Sequence, residues 1–576
     1  MANRRRKKRT IIPRGYIYIA IALLAIVIIV AGVYGIKKYA PTKEHMDLSE
    51  YFEKGFDNQT ALILDNEYYE VTEEMAYPLA LHMNDQVYLE LGFVKENMDD
   101  GYVYDNSEVT LRYATDTQVF TALMGSGDYT VDKSNESLPY PIVIAQNDRV
   151  YVAADYMKLL TDFQYKYYSE PDRVFVEQAG LNKGMATVKK KGQIRKLNGP
   201  KSPILEDVTK GEEITVVRDT GKWSFVVSEN GVMGYLRNNR ISDIKETAVE
   251  KTLAERNYNH ISFGKKINMA WHQVTSRDAN SNIASVVADS GNINVISPTW
   301  FYLNNNSGGI ASLASGDYVN YCHSNDIQVW GLVSNLEDAS VDTSAVLNST
   351  SARDTLVNNL IAQAITYGLD GINVDIEQLA GEASDGYIQF IKELSIKCEK
   401  NDIILSVDNY VPTASSQCYN RAEQAKYVDY VIVMAYDEYY GGSEVAGSVA
   451  SLDWVSQGIT DTLLEVPSDQ VVLGMPFYCR VWKLEGDTVV SSEAYGMGKI
   501  QTFLKSNEIS TTWDKVEGQY YGEAVSGDYT YKVWVEDEAS LEEKLKLIGA
   551  NNLAGGAFWK LGFDNDGTWN VISKYL

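Results

Sequence analysis

From about residue 258 onward, short apolar runs recur at regular intervals, separated by amphipathic stretches. The runs are KINMAWH, INVISPTWF, IQVWGLV, GINVDIE, IILSVDN, YVDYVIVMAY, VVLGMPFY and AGGAFWKL. Each has strand length and is rich in β-branched or aromatic residues. Between the third and fourth, ARDTLVNNLIAQAITYG places Leu356, Leu360, Ile361 and Ala364 on one helical stripe. Eight strands alternating with helices over roughly 320 residues predict an α/β fold, a (β/α)8 TIM barrel spanning 258–576. The connection from the seventh strand to the eighth, about residues 483–552, is too long for one helix. It holds strand-like TYKVWVED and helical SLEEKLKLI, which predicts a small α+β insertion at about 483–540.

Upstream the rhythm differs. Residues 185–245 read as short alternating strands split by Gly, Pro and Asp turns, a small β domain. Before them lies an internal repeat. Tyr77-Pro78, Asn84-Asp85, Val87 and Tyr88 recur 63 positions later as Tyr140-Pro141, Asn147-Asp148, Val150 and Tyr151. Each copy continues into a short helical stretch and a Tyr-rich strand, so two similar units are expected to form one α+β domain over 58–180. Residues 37–57 read as a polar tether. Tyr16 to Ile36 is a run of 21 residues without a charge, long enough to cross a bilayer.

Charge orients that segment. Residues 1–44 hold ten Lys or Arg and one acid, and seven of the cations, Arg4 to Arg9 and Arg14, precede the apolar run. A cleaved signal peptide usually has a shorter apolar region ending in a small-x-small site, which AGVYG matches poorly. An uncleaved anchor is therefore expected. Residues 1–15 form a basic cytoplasmic tail, 16–36 span the membrane, and the remainder lies outside a Gram-positive-type cell. Residues 45–576 carry 42 basic and 77 acidic residues, a net charge of −35, which argues against a nucleic-acid partner. Cys322, Cys398, Cys418 and Cys479 show no C-x-x-C pair. They fit two disulfides in any of three pairings, or buried thiols. The five histidines show no H-E-x-x-H spacing, so no metal and no cofactor are expected. Oligomeric state is not encoded in any pattern here.

One strand breaks the apolar rule. In GINVDIE, Ile372, Val374 and Ile376 fall on one face and Asn373, Asp375 and Glu377 on the other. In a barrel the first face meets the helices and the second the interior, with Glu377 at the C-terminal end where barrel enzymes place their active sites. Burying two acids costs free energy unless they share a proton or accept hydrogen bonds.

These residues resemble a known signature. DGINVDIE is similar to the D-G-x-D-x-D-x-E motif of glycoside hydrolase family 18, the chitinase-like barrels. MAYD, Met434 to Asp437, resembles the end of that family's sixth strand. GMPFYCRVW resembles its seventh, and GGAFWKLGFD its eighth. The resemblance covers about 260–576 and is nearest to the peptidoglycan-directed branch that includes spore-cortex-lytic N-acetylglucosaminidases. Residues 58–180 resemble a copper-amine-oxidase N-terminal-like domain, without a copper-ligand cluster. Residues 185–245, with Trp223 and the GVMGYL strand, resemble a bacterial SH3-like module, a wall-binding or linking unit.

The family resemblance implies substrate-assisted hydrolysis of β-1,4 bonds at N-acetylglucosamine, in which the sugar's acetamido oxygen is the nucleophile. It assigns Glu377 as the acid and later base, Asp375 as the partner of the acetamido N–H, and Tyr436 as the hydrogen bond to its carbonyl. Asp437 and Met434 would contact the sugar, and Trp559 would stack beneath it. Asn373 departs from the motif, which has aspartate there. It retains hydrogen bonding, towards Asp375, without a titratable proton. The implied partner is an N-acetylated glycan, with peptidoglycan favoured over chitin or an N-glycan. A non-catalytic glycan-binding lectin is the alternative, disfavoured by the presence of Glu377.

Overall fold

The computed structural model describes residues 13–70, 72 and 76–576. The cationic cluster at 4–9 lies outside them. Contacts divide the chain into two bodies, Met1–Asp100 with Tyr140–Ala254, and Gly101–Pro139 with Glu255–Leu576.

In the first body the uncharged run forms helix α1, Arg14–Tyr39, with no buried residue. Its 26 residues extend about 39 Å at 1.5 Å per residue. Among the described residues it alone is long and apolar enough to cross a membrane.

The 63-residue repeat appears as two matched hairpins, Ala80–Met83 with Gln86–Glu90 and Val143–Gln146 with Arg149–Ala153, joined in one four-stranded sheet. Both turns use an Asn-Asp pair in the left-handed region, φ 51° and 61° at Asn84-Asp85, 52° and 57° at Asn147-Asp148. Positive φ at both central residues suits a tight hairpin, and Asn and Asp tolerate it best after glycine. The repeated Tyr and Pro then lock the halves reciprocally. Tyr88 donates to the Pro141 carbonyl at 2.9 Å and Tyr151 to the Pro78 carbonyl at 2.8 Å. A second sheet orders Phe163–Ser169, Asp172–Gln178, Ala61–Leu64 and Glu67–Tyr69. Residues Asn182–Ala248 form a separate seven-stranded sheet whose core includes Ile194, Val208, Ile214, Val226 and Leu236.

The second body is built on eight parallel strands: β1 (Ile267–His272), β2 (Val295–Leu303), β3 (Gln328–Ser334), β4 (Gly371–Asp375), β5 (Ile404–Tyr410), β6 (Tyr430–Met434), β7 (Val471–Pro476) and β8 (Gly555–Trp559). The sheet closes because β1 pairs with both β2 and β8. All eight correspond to the apolar runs of the sequence. Closure requires a small residue at Gly555, where an added Cβ would lie 2.1 Å from the Ile267 carbonyl oxygen. Ile372, Val374 and Ile376 join the core between strands and helices, which also holds Leu356, Leu360, Ile361 and Ala364 of helix α2 (Thr350–Tyr367). Gly368, at φ 66°, ends that helix. A second cluster with Met269, Trp271, Trp330 and Ile432 fills the barrel.

The insertion begins earlier than the sequence reading places it. β7 stops at Pro476, and Tyr478–Glu485 is already the first strand of a five-stranded antiparallel sheet. From Phe477 to Leu484 the sequence stays strand-like, so Pro476, inside the seventh apolar run, is the one mark of the boundary. Phe477 is the joint, its N–H bonded to the Trp559 carbonyl at 2.7 Å.

Residues 101–139, read from sequence as part of the repeat domain, instead form a five-stranded meander grouped with the barrel. Its polar side chains find partners on the barrel helices. Asp105 accepts the Thr350 N–H at 2.7 Å and Glu108 the Ser351 N–H at 2.9 Å, satisfying the exposed amides that open α2. Arg112 is buried between Asp354 of α2 and Glu393 of helix α3 (Ser384–Glu399), with contacts of 2.6 and 2.9 Å. The four cysteines are free thiols.

Candidate active site

β4 ends at Asp375 and the chain leaves the barrel mouth through Ile376, Glu377 and Gln378. Gln378 adopts φ 53°, turning the backbone sharply. Asn335, just beyond β3, clamps this exit. Its Oδ1 accepts the Glu377 N–H at 2.8 Å and its Nδ2 donates to the Glu377 carbonyl at 2.9 Å. With backbone held on both sides, the Glu377 carboxylate is aimed into the mouth, where the Tyr410 hydroxyl donates to its Oε2 at 2.6 Å.

The mouth opens into a cleft of about 670 Å³, a size that suits a sugar residue and its neighbours. Glu377, Tyr410, Met434, Tyr436, Asp437 and Trp454 line it. Tyr436 stands edge-on to Trp271 with ring centres 6.4 Å apart. Burial, then the neighbouring Tyr478, Asp408, Asp375 and Asp437, pushes its hydroxyl well above the ordinary tyrosine value, so it remains a hydrogen-bond donor. Asp437 sits at φ 55° and accepts the Tyr478 hydroxyl at 2.5 Å. Trp559 closes β8 with its ring 5.9 Å from Trp271, inclined at 60°.

Below Glu377 lies a polar layer. Asn373 is fully buried and its amide is saturated. The Trp271 indole and the Ser297 hydroxyl donate to Oδ1 at 3.1 and 2.9 Å, while Nδ2 donates to Ser406 Oγ at 3.1 Å and Asp408 Oδ1 at 2.8 Å. A donor on one side and a carboxylate on the other fix which way the amide points. This corrects the expectation that Asn373 hydrogen-bonds Asp375: its capacity is spent on Asp408 and three other side chains, and it does not line the cleft. Asp375 is pushed well above the ordinary carboxylate value, by burial first and then by Asp408, Glu377 and Glu337. Asp408 is pushed up to about 8, again by burial first, with the Asn373 hydrogen bond and the nearby Trp271 indole opposing and Glu377 adding.

The structure thus brings Glu377, Met434, Tyr436 and Asp437 to the lining of one cleft, with Asp375 beneath them beside Glu377 and Trp559 against Trp271, neither lining it. Sequence reasoning missed Asp408, Tyr410, Asn335 and Tyr478. Asp408 and Tyr410 carried a signal: they alternate along IILSVDNY with the same period as Asp375 and Glu377 along GINVDIE. Among the described residues no group of three or more His, Cys, Asp or Glu is arranged to hold a metal ion.

A closed parallel barrel with an acid held over a sugar-sized cleft and a tyrosine donor opposite defines a barrel glycosidase. The model of the glycosyl hydrolases family 18 matches residues 232–564, more than half of the chain, and the chain belongs to that family. Among curated relatives it is 27% identical to the "uncharacterized glycosylase YvbX" of Bacillus subtilis (strain 168), over 49% of this chain and 84% of the relative. It is 24% identical to the cortical fragment-lytic enzyme of the same organism, over 42% of this chain and 58% of that protein. The chain therefore spans little more than half the length of the latter. Among solved structures, the C-terminal domain of a candidate chitinase of Desulfitobacterium hafniense DCB-2 shares the fold, with TM-score 0.50 and 20% identity over 54% of this chain and all of that one.

Proposed function

We propose that this family 18 hydrolase cleaves β-1,4 bonds at N-acetylglucosamine in peptidoglycan, from a membrane-anchored position outside the cell. The observation that carries the reading is the placement of Glu377, its backbone clamped by Asn335 and its carboxylate facing a sugar-sized cleft. Similarity to a cortical fragment-lytic enzyme supports peptidoglycan as the glycan. The α1 helix and the cations before it support an anchor with residues 1–15 inside.

In the reaction, the acetamido carbonyl oxygen of the bound sugar attacks its own anomeric carbon as the C1–O bond to the leaving sugar breaks. Glu377 delivers its proton to the departing oxygen. Tyr436 donates to the acetamido carbonyl and holds it for attack. Asp375 accepts the acetamido N–H, and its negative charge stabilises the oxazolinium ion. Trp559 offers its ring face to the apolar face of the sugar, and Asp437, oriented by Tyr478, accepts from a sugar hydroxyl. Water then adds to the anomeric carbon and returns a proton to Glu377, restoring the acetamide with retained configuration.

Full-length protein in detergent, incubated in parallel with peptidoglycan, chitin oligomers and an N-glycan, should release reducing ends fastest from peptidoglycan. The activity should sediment with membranes until detergent is added. Glu377→Gln should lower the rate at least about 100-fold, because it removes general acid catalysis, while leaving the melting temperature near wild type. Preferred cleavage of chitin would replace the substrate assignment. Unchanged activity in the Gln variant would end the catalytic one.

A further inference from the structure

Asp408 has no place in the family motif, yet it occupies the centre of the polar layer. β4 and β5 pair in parallel with Asn373 beside Ser406 and Val374 beside Val407. One step further along, Asp375 comes beside Asp408, on the interior face of both strands. Adjacent strands lie about 4.8 Å apart, so two carboxyl groups share a small enclosed space. Each has one buried oxygen with no hydrogen-bond partner, Oδ1 of Asp375 and Oδ2 of Asp408. Their remaining neighbours offer no counter-charge: Glu377 and Glu337 are acids, and Tyr436, Tyr387 and Tyr419 are neutral hydroxyls. Arg421, the cation of this region, is engaged by the Tyr410 carbonyl and Ser416 Oγ at 2.8 Å each.

One proton between the two orphan oxygens satisfies both, a carboxyl O–H donating to a carboxylate. Asn373 fits this arrangement. Its amide N–H sits 2.8 Å from Asp408 Oδ1, a contact that aspartate at 373 would turn into carboxylate repulsion. Asparagine at 373 and aspartate at 408 are therefore a matched set: the carboxylate that the motif keeps on β4 stands here on β5, two residues nearer the mouth and level with Asp375.

We propose that Asp408 is a positioning residue that shares a proton with Asp375, standing in for the aspartate that the signature places at position 373. The pair carries one negative charge throughout. Before substrate binds, the proton lies between the two groups. As the acetamido N–H approaches Asp375, the proton passes to Asp408 and Asp375 meets the oxazolinium as the ionised partner. When product leaves, it returns. The inference rests on the family 18 reaction proposed above, but its physical core, a shared buried proton, is measurable without turnover.

The test uses full-length protein and three variants, Asp408→Asn, Asn373→Asp and the double exchange. Asp408→Asn should lower kcat about tenfold or more and displace its pH profile, because a one-unit change in the pKa of Asp375 alters its ionised fraction about tenfold, with KM little changed. Asn373→Asp alone should also lose activity through carboxylate repulsion. The double exchange keeps one acid and one amide in contact and should recover most of the activity lost by Asp408→Asn. A folded double variant no more active than Asp408→Asn, or Asp408→Asn with wild-type kcat and pH profile, would overturn the proposal.

A second readout is thermal melting against pH. Asp408 holds a proton in the folded state from the ordinary carboxylate value of 3.8 up to about 8. The unfolded chain releases it lower, so this group's stabilising contribution falls as pH rises through that window. Wild type should therefore lose melting temperature relative to folded Asp408→Asn, which lacks that group, between about pH 4 and 8. A constant difference across that range would contradict a shared proton. A wild type that cleaves no N-acetylated glycan but shows this melting behaviour would sink the proposed function and leave the shared proton standing.

Discussion

At the scale of single residues, the site is governed by how buried carboxyl groups find partners. Glu377 is held by groups on two other strands, Asn335 after β3 and Tyr410 at the end of β5. In the proposed reaction Tyr410 aligns the carboxylate through its 2.6 Å hydrogen bond to Glu377. Tyr410→Phe should therefore lower kcat about tenfold, the value of one hydrogen bond to a charged group, with little change in KM. A loss as large as that of Glu377→Gln would instead make Tyr410 a proton carrier. Glu377, Asp375, Tyr436, Asp437, Met434 and Trp559 were legible because their motifs stand at the ends of recognisable strands. Asp408 was not, because its meaning depends on which strand lies beside β4 and in what register. Asn335 and Tyr478 act through hydrogen bonds formed across the barrel mouth and into the insertion, which no local pattern carries.

At the scale of elements, apolar periodicity located all eight barrel strands and the α2 stripe, since burial on a fixed face imposes its period on the sequence. It failed where polar contacts decide. The 101–139 meander joins the barrel through Asp105, Glu108 and Arg112, whose partners lie more than 240 positions later. Arg112 is nearly enclosed, and Arg353 also reaches Glu393, at 3.4 Å. Removing one member of a buried ionic cluster leaves the others without compensation and costs about 3 kcal/mol or more. Arg112→Ala should therefore open the meander more readily. Limited proteolysis within 101–139 should accelerate about 100-fold if cleavage follows the open population. Cleavage at the wild-type rate would show that the meander is held by its apolar contacts alone.

At the scale of the whole molecule, the chain combines a helix of membrane-spanning length, a repeat body, a seven-stranded sheet and a hydrolase barrel. The cations before the apolar helix fit the proposed anchor with its N-terminus inside, and the rest of the chain is strongly acidic. In the proposed reaction the nucleophile belongs to the substrate, so the protein supplies one acid, one paired carboxylate and a tyrosine donor. The most direct measurement is reducing-end release from one peptidoglycan preparation, half of it chemically de-N-acetylated, by the same full-length protein. The account predicts rapid cleavage of the N-acetylated half and almost none of the other. Equal cleavage of both halves would contradict it.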